Sequence, residues 1–252
     1  METWRLLDLE YENSYMNLAV EEAIPRIVGV GIAPNTIRFW RNPNTVVIGR
    51  FQCIKLEVNL KAAEKYRTTV VRRFTGGGAV YHDYGNLNFA ISVDKNHSMI
   101  PKDLSRIYHT LSLGVIRGLK LLGFCAEFTP PNTLNICGKK VSGSAGSLNW
   151  GVIFYHGTLL VISNLRILSE VLNRPLNRAR SAVPSNWTQV MNLRNETDEN
   201  PSFADVKTAL TRGFEETFGI NLLKGKLLKK EKELAYKLYK EKYSQDDWNF
   251  KI

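Results

Sequence analysis

Strand-like and helix-like periods follow one another irregularly along this chain, and that irregularity constrains its fold more than any other feature. Leu87, Phe89, Ile91 and Val93 alternate with Asn88, Ala90 and Ser92, the period of a half-buried strand. Leu104, Ile107, Tyr108, Leu111, Val115, Leu119 and Leu122 then fall on one stripe at helical spacing, with Gly123 where a helix stop belongs. A further helix is expected over 202–218, with Ser202 and Asp205 in capping-box spacing and Val206, Leu210, Phe214 and Phe218 inward. Strands are expected at 4–9, 36–41, 46–49, 68–73 and 152–162, and a short helix at 59–66. A helix starts near Tyr15, capped by Asn13 or Ser14, and Pro25 should end or kink it. Without regular strand–helix alternation, the expectation is an α+β fold: a mixed β-sheet flanked by helices, with residues 1–252 forming one domain.

Composition narrows the class. Of 252 residues, 44% are hydrophobic and 23% charged, enough apolar mass for a buried core. No run approaches the ~18 apolar residues of a membrane span, and Met1-Glu2-Thr3-Trp4-Arg5 is not a secretion leader, so a cytoplasmic location is expected. The glycosylation triplets at Asn186 and Asn195 therefore carry no weight. Cys53, Cys125 and Cys137 are odd in number and never spaced C-x-x-C, which argues against a disulfide framework or a zinc site. About half of the +10 formal charge lies between Lys224 and Lys242, where eight lysines face Glu231, Glu233 and Glu241. A basic helix over 227–243 follows, read as an appendage whose face is solvated or meets an acidic partner.

Three segments carry chemistry. Arg72-Arg73-Phe74-Thr75-Gly76-Gly77-Gly78-Ala79-Val80-Tyr81-His82-Asp83 joins two strand-like runs through three glycines. Such a loop brings backbone N–H groups close to an anion, and two arginines supply fixed positive charge beside it. A bare glycine triplet is more often a tight turn; the arginines and His82-Asp83 tip the reading towards a site. Gly138-Lys139-Lys140-Val141-Ser142-Gly143-Ser144-Ala145-Gly146 reads as a lysine pair in a loop before a run of small residues, and it lacks the order of a phosphate-binding P-loop. Tyr155-His156-Gly157-Thr158-Leu159-Leu160 places a histidine in a strand, where a core role is the commoner one. No serine–histidine–carboxylate order and no metal-ligand spacing is legible, so the inventory favours binding of a phosphate-containing small molecule over nucleophilic or metal chemistry.

Together, and in order, these segments resemble the lipoate–protein ligase family. The resemblance runs through Met16-Asn17-Leu18-Ala19-x-Glu21-Glu22-Ala23, the glycine segment extended to Gly85-Asn86-x-Asn88-Phe89, Lys140-Val141-Ser142-Gly143-Ser144-Ala145, and His156-Gly157-Thr158-Leu159-Leu160. It implies a fold shared with biotin protein ligases and class II aminoacyl-tRNA synthetase cores. It also implies a two-step reaction: lipoate and Mg-ATP (the Mg2+ as activator) give lipoyl-AMP, which then acylates a lysine of a lipoyl domain or of a glycine-cleavage H protein. Lys140 matches the family's essential lysine. Contacts to lipoate or lipoyl-AMP are then expected from Arg72, Gly76, Gly77, Gly78, Ala79, Val80 and Tyr81 in the loop. Further contacts are expected from Asn88, Lys140, Ser142, Gly143, Ala145, His156, Gly157 and Thr158. No metal ligand is assigned.

Two departures qualify that likeness. Full-length family members carry a further C-terminal accessory domain, and this sequence stops at Ile252, so a separate accessory subunit is expected. Residues 180–187 match the family only loosely. The nearest rival is a carrier-protein-dependent octanoyl- or lipoyl-transferase, which needs a thiolate at the site; Cys137, three residues before Lys140, keeps that alternative open. A biotin ligase's Gly-Arg-Gly-Arg-x-Gly loop is replaced here, and a nucleic-acid-binding module lacks its aromatic-basic surface. Neither nucleic acid nor membrane is expected as a partner.

Overall fold

The computed structural model describes residues 1–101, 103, 106–173, 189–195 and 200–251; Leu104, the loosely matching 180–187 and Asn186 lie outside them. Strand β1 (Glu2–Asp8) buries Trp4, Arg5, Leu6 and Leu7. Helix α1 (Ser14–Gly29) follows, with the Asn13 side chain accepting from the Met16 N–H as its cap. Pro25 does not end this helix. It removes one hydrogen bond, and the burial of Ile24, Ile27 and Val28 around it outweighs that loss.

Eight strands form the main sheet: β1, β2 (Thr36–Trp40), β6 (Asn86–Asp94), β7 (Ala126–Thr129), β8 (Thr133–Ile136), β9 (Lys139–Asn149), β10 (Val152–Leu160) and β11 (Ile220–Lys224). Their order is β11-β1-β2-β6-β10-β9-β8-β7, with β1 parallel to both its neighbours and every other pair antiparallel. The expected mixed, helix-flanked sheet is present. A small sheet, β4-β3-β5, is built from β3 (Thr45–Ile48), β4 (Thr69–Arg72) and β5 (Val80–His82). It packs with the short helices α2 (Ile54–Glu57), α3 (Leu60–Lys65) and α5 (Leu165–Val171).

One face of the main sheet is covered by α4 (Ile107–Leu121) and α6 (Phe203–Phe218), whose Leu111, Val115, Val206, Leu210 and Phe214 pack on Phe39, Phe89, Ile91 and Tyr155. The Ser202–Asp205 capping box forms as expected. These two helices touch through glycines: a Cβ on Gly213 would lie 2.4 Å from the Gly114 carbonyl oxygen, so only glycine permits that spacing. Helix α1 covers the other face. Strand β6 is therefore buried on both sides from Asn86 to Val93, not half-buried as its alternation suggests, and its polar positions face a layer of protein rather than water.

The basic helix is not an appendage. It comprises α7 (Lys229–Leu238) and a π-helical turn, Tyr239–Tyr243, and it lays Ala235, Leu238 and Tyr243 against α1. Its Glu231 is fully buried and accepts from Arg5 in β1 through both oxygens, at 2.8 and 2.5 Å. The Leu228 N–H donates to the same carboxylate. Glu231→Ala is expected to cost about 3–5 kcal/mol, because it leaves the Arg5 guanidinium buried without its partner; urea unfolding at neutral pH measures it. Among the described residues no helix is long and apolar enough to cross a membrane.

Candidate active site

Strand registry places two rows of side chains under α1. Trp40, Asn88, Thr158 and Gly143 are consecutive cross-strand partners over β2, β6, β10 and β9. Arg38, Ala90, His156 and Ala145 form the next row. Intervening residues such as Phe39, Phe89 and Tyr155 point into the helical core. All residues of the two rows except Arg38 and Ala90 floor a pocket of about 280 Å³, walled by Leu18 and Glu21 of α1, Val47 of β3, and the loop between β4 and β5.

That loop is wrapped around Arg73. The guanidinium donates to the carbonyls of Val47, Gly76 and Gly78 and to Thr75 Oγ1, over 2.6–3.3 Å. Burial lowers its pKa to about 10, and the charge of Glu21 works in the opposite sense. Because a peptide's C=O and the following N–H point in opposite directions, binding the Gly76 carbonyl turns the Gly77 N–H away from the arginine. Gly77 takes φ +86°, and a Cβ there would meet Arg73 Nη2 at 2.9 Å. Arg73 is therefore the arginine of the site.

Arg72, expected at the ligand, sits elsewhere. Successive strand residues face opposite sides, and Arg72 points to the far side of β4. There it donates to the carbonyls of Gly49, Arg50 and Gln52 and to those of Trp248, Asn249 and Lys251 around helix α8 (Asp246–Asn249). It clamps the last described turn of the chain and holds no pocket position.

Lys140 lies not in a loop but in β9, and an irregularity in that strand aims it. Leu134 pairs with Ser142 while Asn135 pairs with Lys140, leaving Val141 extra. The one-residue slip reverses the alternation, so Val141 enters the helical core and Lys140 lines the pocket with Gly143 and Ala145. A Cβ on Gly143 would meet the Lys140 Cε and Nζ at 3.0 Å, so the glycine makes room for the side chain. Burial alone depresses the Lys140 ammonium, and among the described residues no carboxylate pairs with it.

A hydrogen-bonded line crosses the pocket wall. Glu21, 2% exposed, lies 2.5 Å from His156 Nδ1, and His156 Nε2 lies 2.8 Å from Thr75 Oγ1. The carboxylate accepts from Nδ1–H, which leaves Nε2 to accept the threonine O–H. First helix, sheet and glycine loop are thus tied through one imidazole. His82 also lines the pocket; Asn42 donates to its Nδ1 at 2.9 Å. Burial, then the charge of Arg73, hold the His82 pKa at about 3 instead of 6.5. The unfolded chain therefore takes up this proton below pH 6.5 while the native state resists until about pH 3. Stability is complete above pH 6.5 and falls as pH drops through that window, by about 3 kcal/mol at pH 4. Urea titrations at several pH values should show that slope, and His82→Gln should flatten it.

Of the residues expected from sequence, Gly77, Gly78, Ala79, Val80, Asn88, Lys140, Gly143, Ala145, His156, Gly157 and Thr158 meet at the pocket. Gly76, Tyr81 and Ser142 stand behind it; Tyr81 and Ser142 are buried in the layers on either side. Glu21, Trp40, Arg73 and His82 also line the pocket and are not among the contacts expected from sequence; α1 carries Asn17, Glu22 and Arg26 as well, so residue type alone does not single out Glu21. Cys53, Cys125 and Cys137 do not line the pocket; Cys137 is exposed in the β8–β9 turn at φ +48°. Among the described residues no group of three or more His, Cys, Asp or Glu side chains could hold a metal ion.

The model of the lipoyl protein ligase A/B catalytic domain matches residues 13–215. The chain belongs to that family. Lipoate-protein ligase A subunit 1 of Thermoplasma acidophilum is 37% identical over 97% of this family member and 95% of its own length. Octanoyltransferase LipM of Halalkalibacterium halodurans is 32% identical over the whole of both chains. Among solved structures, a bi-partite lipoate protein ligase with its E2 lipoyl domain, from T. acidophilum, superimposes with a TM-score of 0.88 at 34% identity, covering 99% of this chain and 97% of its own. A T. acidophilum protein with bound lipoic acid gives 0.86 at 34% (99% and 100% covered), and a lipoate-protein ligase A bound with ATP gives 0.86 at 35% (99% of each). Both a ligase and a transferase thus stand near this family member, and the pocket's chemistry has to separate them.

Proposed function

We propose that this chain is the catalytic subunit of a lipoate–protein ligase, with residues 1–252 acting as one domain. Lipoate's carboxylate attacks the α-phosphorus of Mg-ATP and pyrophosphate leaves. The acceptor lysine's amine then attacks the acyl carbon, AMP leaves, and the amine loses its proton. The observation that carries the reading is Lys140: a cation in a pocket wall, depressed by burial, with no carboxylate among the described residues to neutralise it. Such a group is placed for an incoming anion, and it offsets the charge that builds on phosphate and carbonyl oxygens. The Gly77 N–H adds a fixed dipole of the same sense. Binding of lipoic acid and of ATP by similar proteins supports the same substrates here. The acceptor is taken to be a lipoyl domain or H protein in the cytoplasm. A separate accessory subunit assists adenylation, a reading supported by the subunit name and bi-partite state of the T. acidophilum relative.

Octanoyl transfer from a carrier protein is the second reading, favoured by the full-length LipM likeness. It requires a thiol where the acyl carbon sits, and none of the three cysteines lines the pocket. Parallel incubations of the chain with an apo lipoyl domain, followed by intact mass, separate the readings. Modification from lipoyl-AMP, and only slowly from lipoate with Mg-ATP, is the expected result. Transfer from octanoyl carrier protein without ATP, lost on Cys137→Ala, would replace the ligase with a thiol transferase.

A further inference from the structure

A group of cations outside the pocket has no part in the proposed chemistry. Arg26, Arg50, Lys242 and Lys251 gather from α1, the β3–α2 turn and the last turns of the described chain, and none of them lines the pocket. Contacts close them into a ring. The Arg26 guanidinium lies 4.6 Å from the Trp150 ring centroid and shares the Glu22 carboxylate with Lys242. Lys242 and Lys251 lie 4.0 and 3.8 Å from the Trp248 ring centroid. Arg50 completes the circuit, since its charge acts on both lysines.

The ring is electrically one-sided. Glu22 is buried, and Arg26, Lys242 and the Tyr243 hydroxyl already occupy its oxygens. Burial, then the charges of Arg72, Arg50 and Lys242, press the Lys251 ammonium below its usual range, and among the described residues no carboxylate offsets them. Like charges held together repel, and a negative surface brought against them reverses that cost. Large apolar side chains stand exposed beside the cations: Phe51 at 62%, Phe250 at 44% and Trp150 at 37%. Arginine among exposed aromatic rings is the composition of a protein-binding patch.

The patch also touches the glycine loop. The Arg50 N–H donates to the Thr75 carbonyl at 2.8 Å, and an added Cβ on Gly76 would lie 3.8 Å from the Phe51 ring. Phe74 of the loop packs on Trp150, with ring centroids 5.5 Å apart. We propose that Arg26, Arg50, Lys242 and Lys251, with Phe51 and Trp150, form the docking surface for an acidic segment of the accessory subunit. This rests on the ligase reading, which calls for that subunit. A partner seated here braces the loop and leaves the pocket free, whereas the acceptor has to bring its lysine into the pocket itself. The lysines of α7 are less suited to the task, because Lys229 and Lys237 already face Glu233 and Glu241.

Fluorescence anisotropy of labelled deca-glutamate tests the charge of the surface. The variant is Arg50→Glu with Lys251→Glu, both exposed; Lys242 stays because it pairs with the buried Glu22. At low salt the wild type should bind the peptide, and the double variant about tenfold more weakly. Lys229→Glu with Lys230→Glu on α7 should bind like the wild type. Intact mass of an apo lipoyl domain tests the occupant. The other subunit of the bi-partite T. acidophilum ligase should raise modification from lipoate and Mg-ATP by the wild type and not by the double variant. Modification from lipoyl-AMP should be equal for the two. Absence of peptide binding, a loss that follows the α7 variant instead, or a rise that is missing or equal for both proteins would overturn the proposal. Failure of the wild type to use lipoyl-AMP would instead remove the ligase reading beneath it.

Discussion

Replacing Lys140 with methionine is expected to lower acceptor modification from lipoyl-AMP by about 10²–10³ while leaving the fold intact or slightly more stable. The two halves of that outcome have one cause. The ammonium is half-sheltered in β9 with burial acting against its charge and no carboxylate of the described residues beside it, so the apo protein gains nothing from it. Its value appears only when an anion arrives. Lys140→Arg should not restore the rate, because Cε and Nζ already fill the space beside Gly143, where an added Cβ would lie only 3.0 Å from them, and a planar guanidinium is bulkier and holds its charge differently. Time courses of acceptor mass, with melting curves of the three proteins, check both halves. A methionine variant that transfers at the wild-type rate would remove Lys140 from the chemistry.

Arg73→Met should act in the opposite way, on structure first and on binding through it. The carbonyls of Val47, Gly76 and Gly78 all accept from this guanidinium, and their loss as partners leaves buried acceptors unsatisfied. A cost of about 3–5 kcal/mol is expected, together with loss of lipoate binding in whatever fraction stays folded, since the loop no longer has a template. Arg72→Met gives the internal control. It should destabilise by releasing the Trp248–Lys251 segment, yet leave lipoate affinity of the folded protein unchanged. Urea midpoints and lipoate titrations of the two variants, side by side, separate the neighbouring arginines. If Arg72→Met instead abolished binding while Arg73→Met did not, the assignment of roles made here would be inverted.

That pair also shows what the sequence could and could not convey. Periodicity identified β6, α4 and α6, because each depends on a face that the chain itself spells out. The choice between Arg72 and Arg73 depends on which side of β4 meets the main sheet, and adjacent letters carry no such information. Strand β9 read as a loop because Gly143, Ser144, Ala145 and Gly146 have little intrinsic preference for a strand. Gly143 leaves room for Lys140, and Gly146 is crowded by the Phe154 carbonyl and the Tyr108 ring, the latter a demand set from 38 residues away in sequence. The bulge at Val141, which decides where Lys140 points, has no local signature at all. Helix α7 looked detachable for a related reason: its anchor, Glu231, is explained only by Arg5 at the other end of the chain. The task of Glu21 is not legible in its own segment, since its partner His156 lies 135 residues away.

The placement of β1 sets an order of events as the chain is made. Its Trp4–Leu7 core residues find β2 on one side within some thirty residues, but β11, on the other side, pairs Glu2 with Ile220 and Leu6 with Lys224. Until that late segment emerges, the first strand synthesised presents an open hydrogen-bonding edge, and Arg5 lacks its counter-charge. Contacts of such long sequence separation slow folding and prolong exposure of an apolar strand. The nascent protein is therefore expected to depend on chaperones through most of its synthesis, and to lock only when residues near Glu231 have cleared the ribosome.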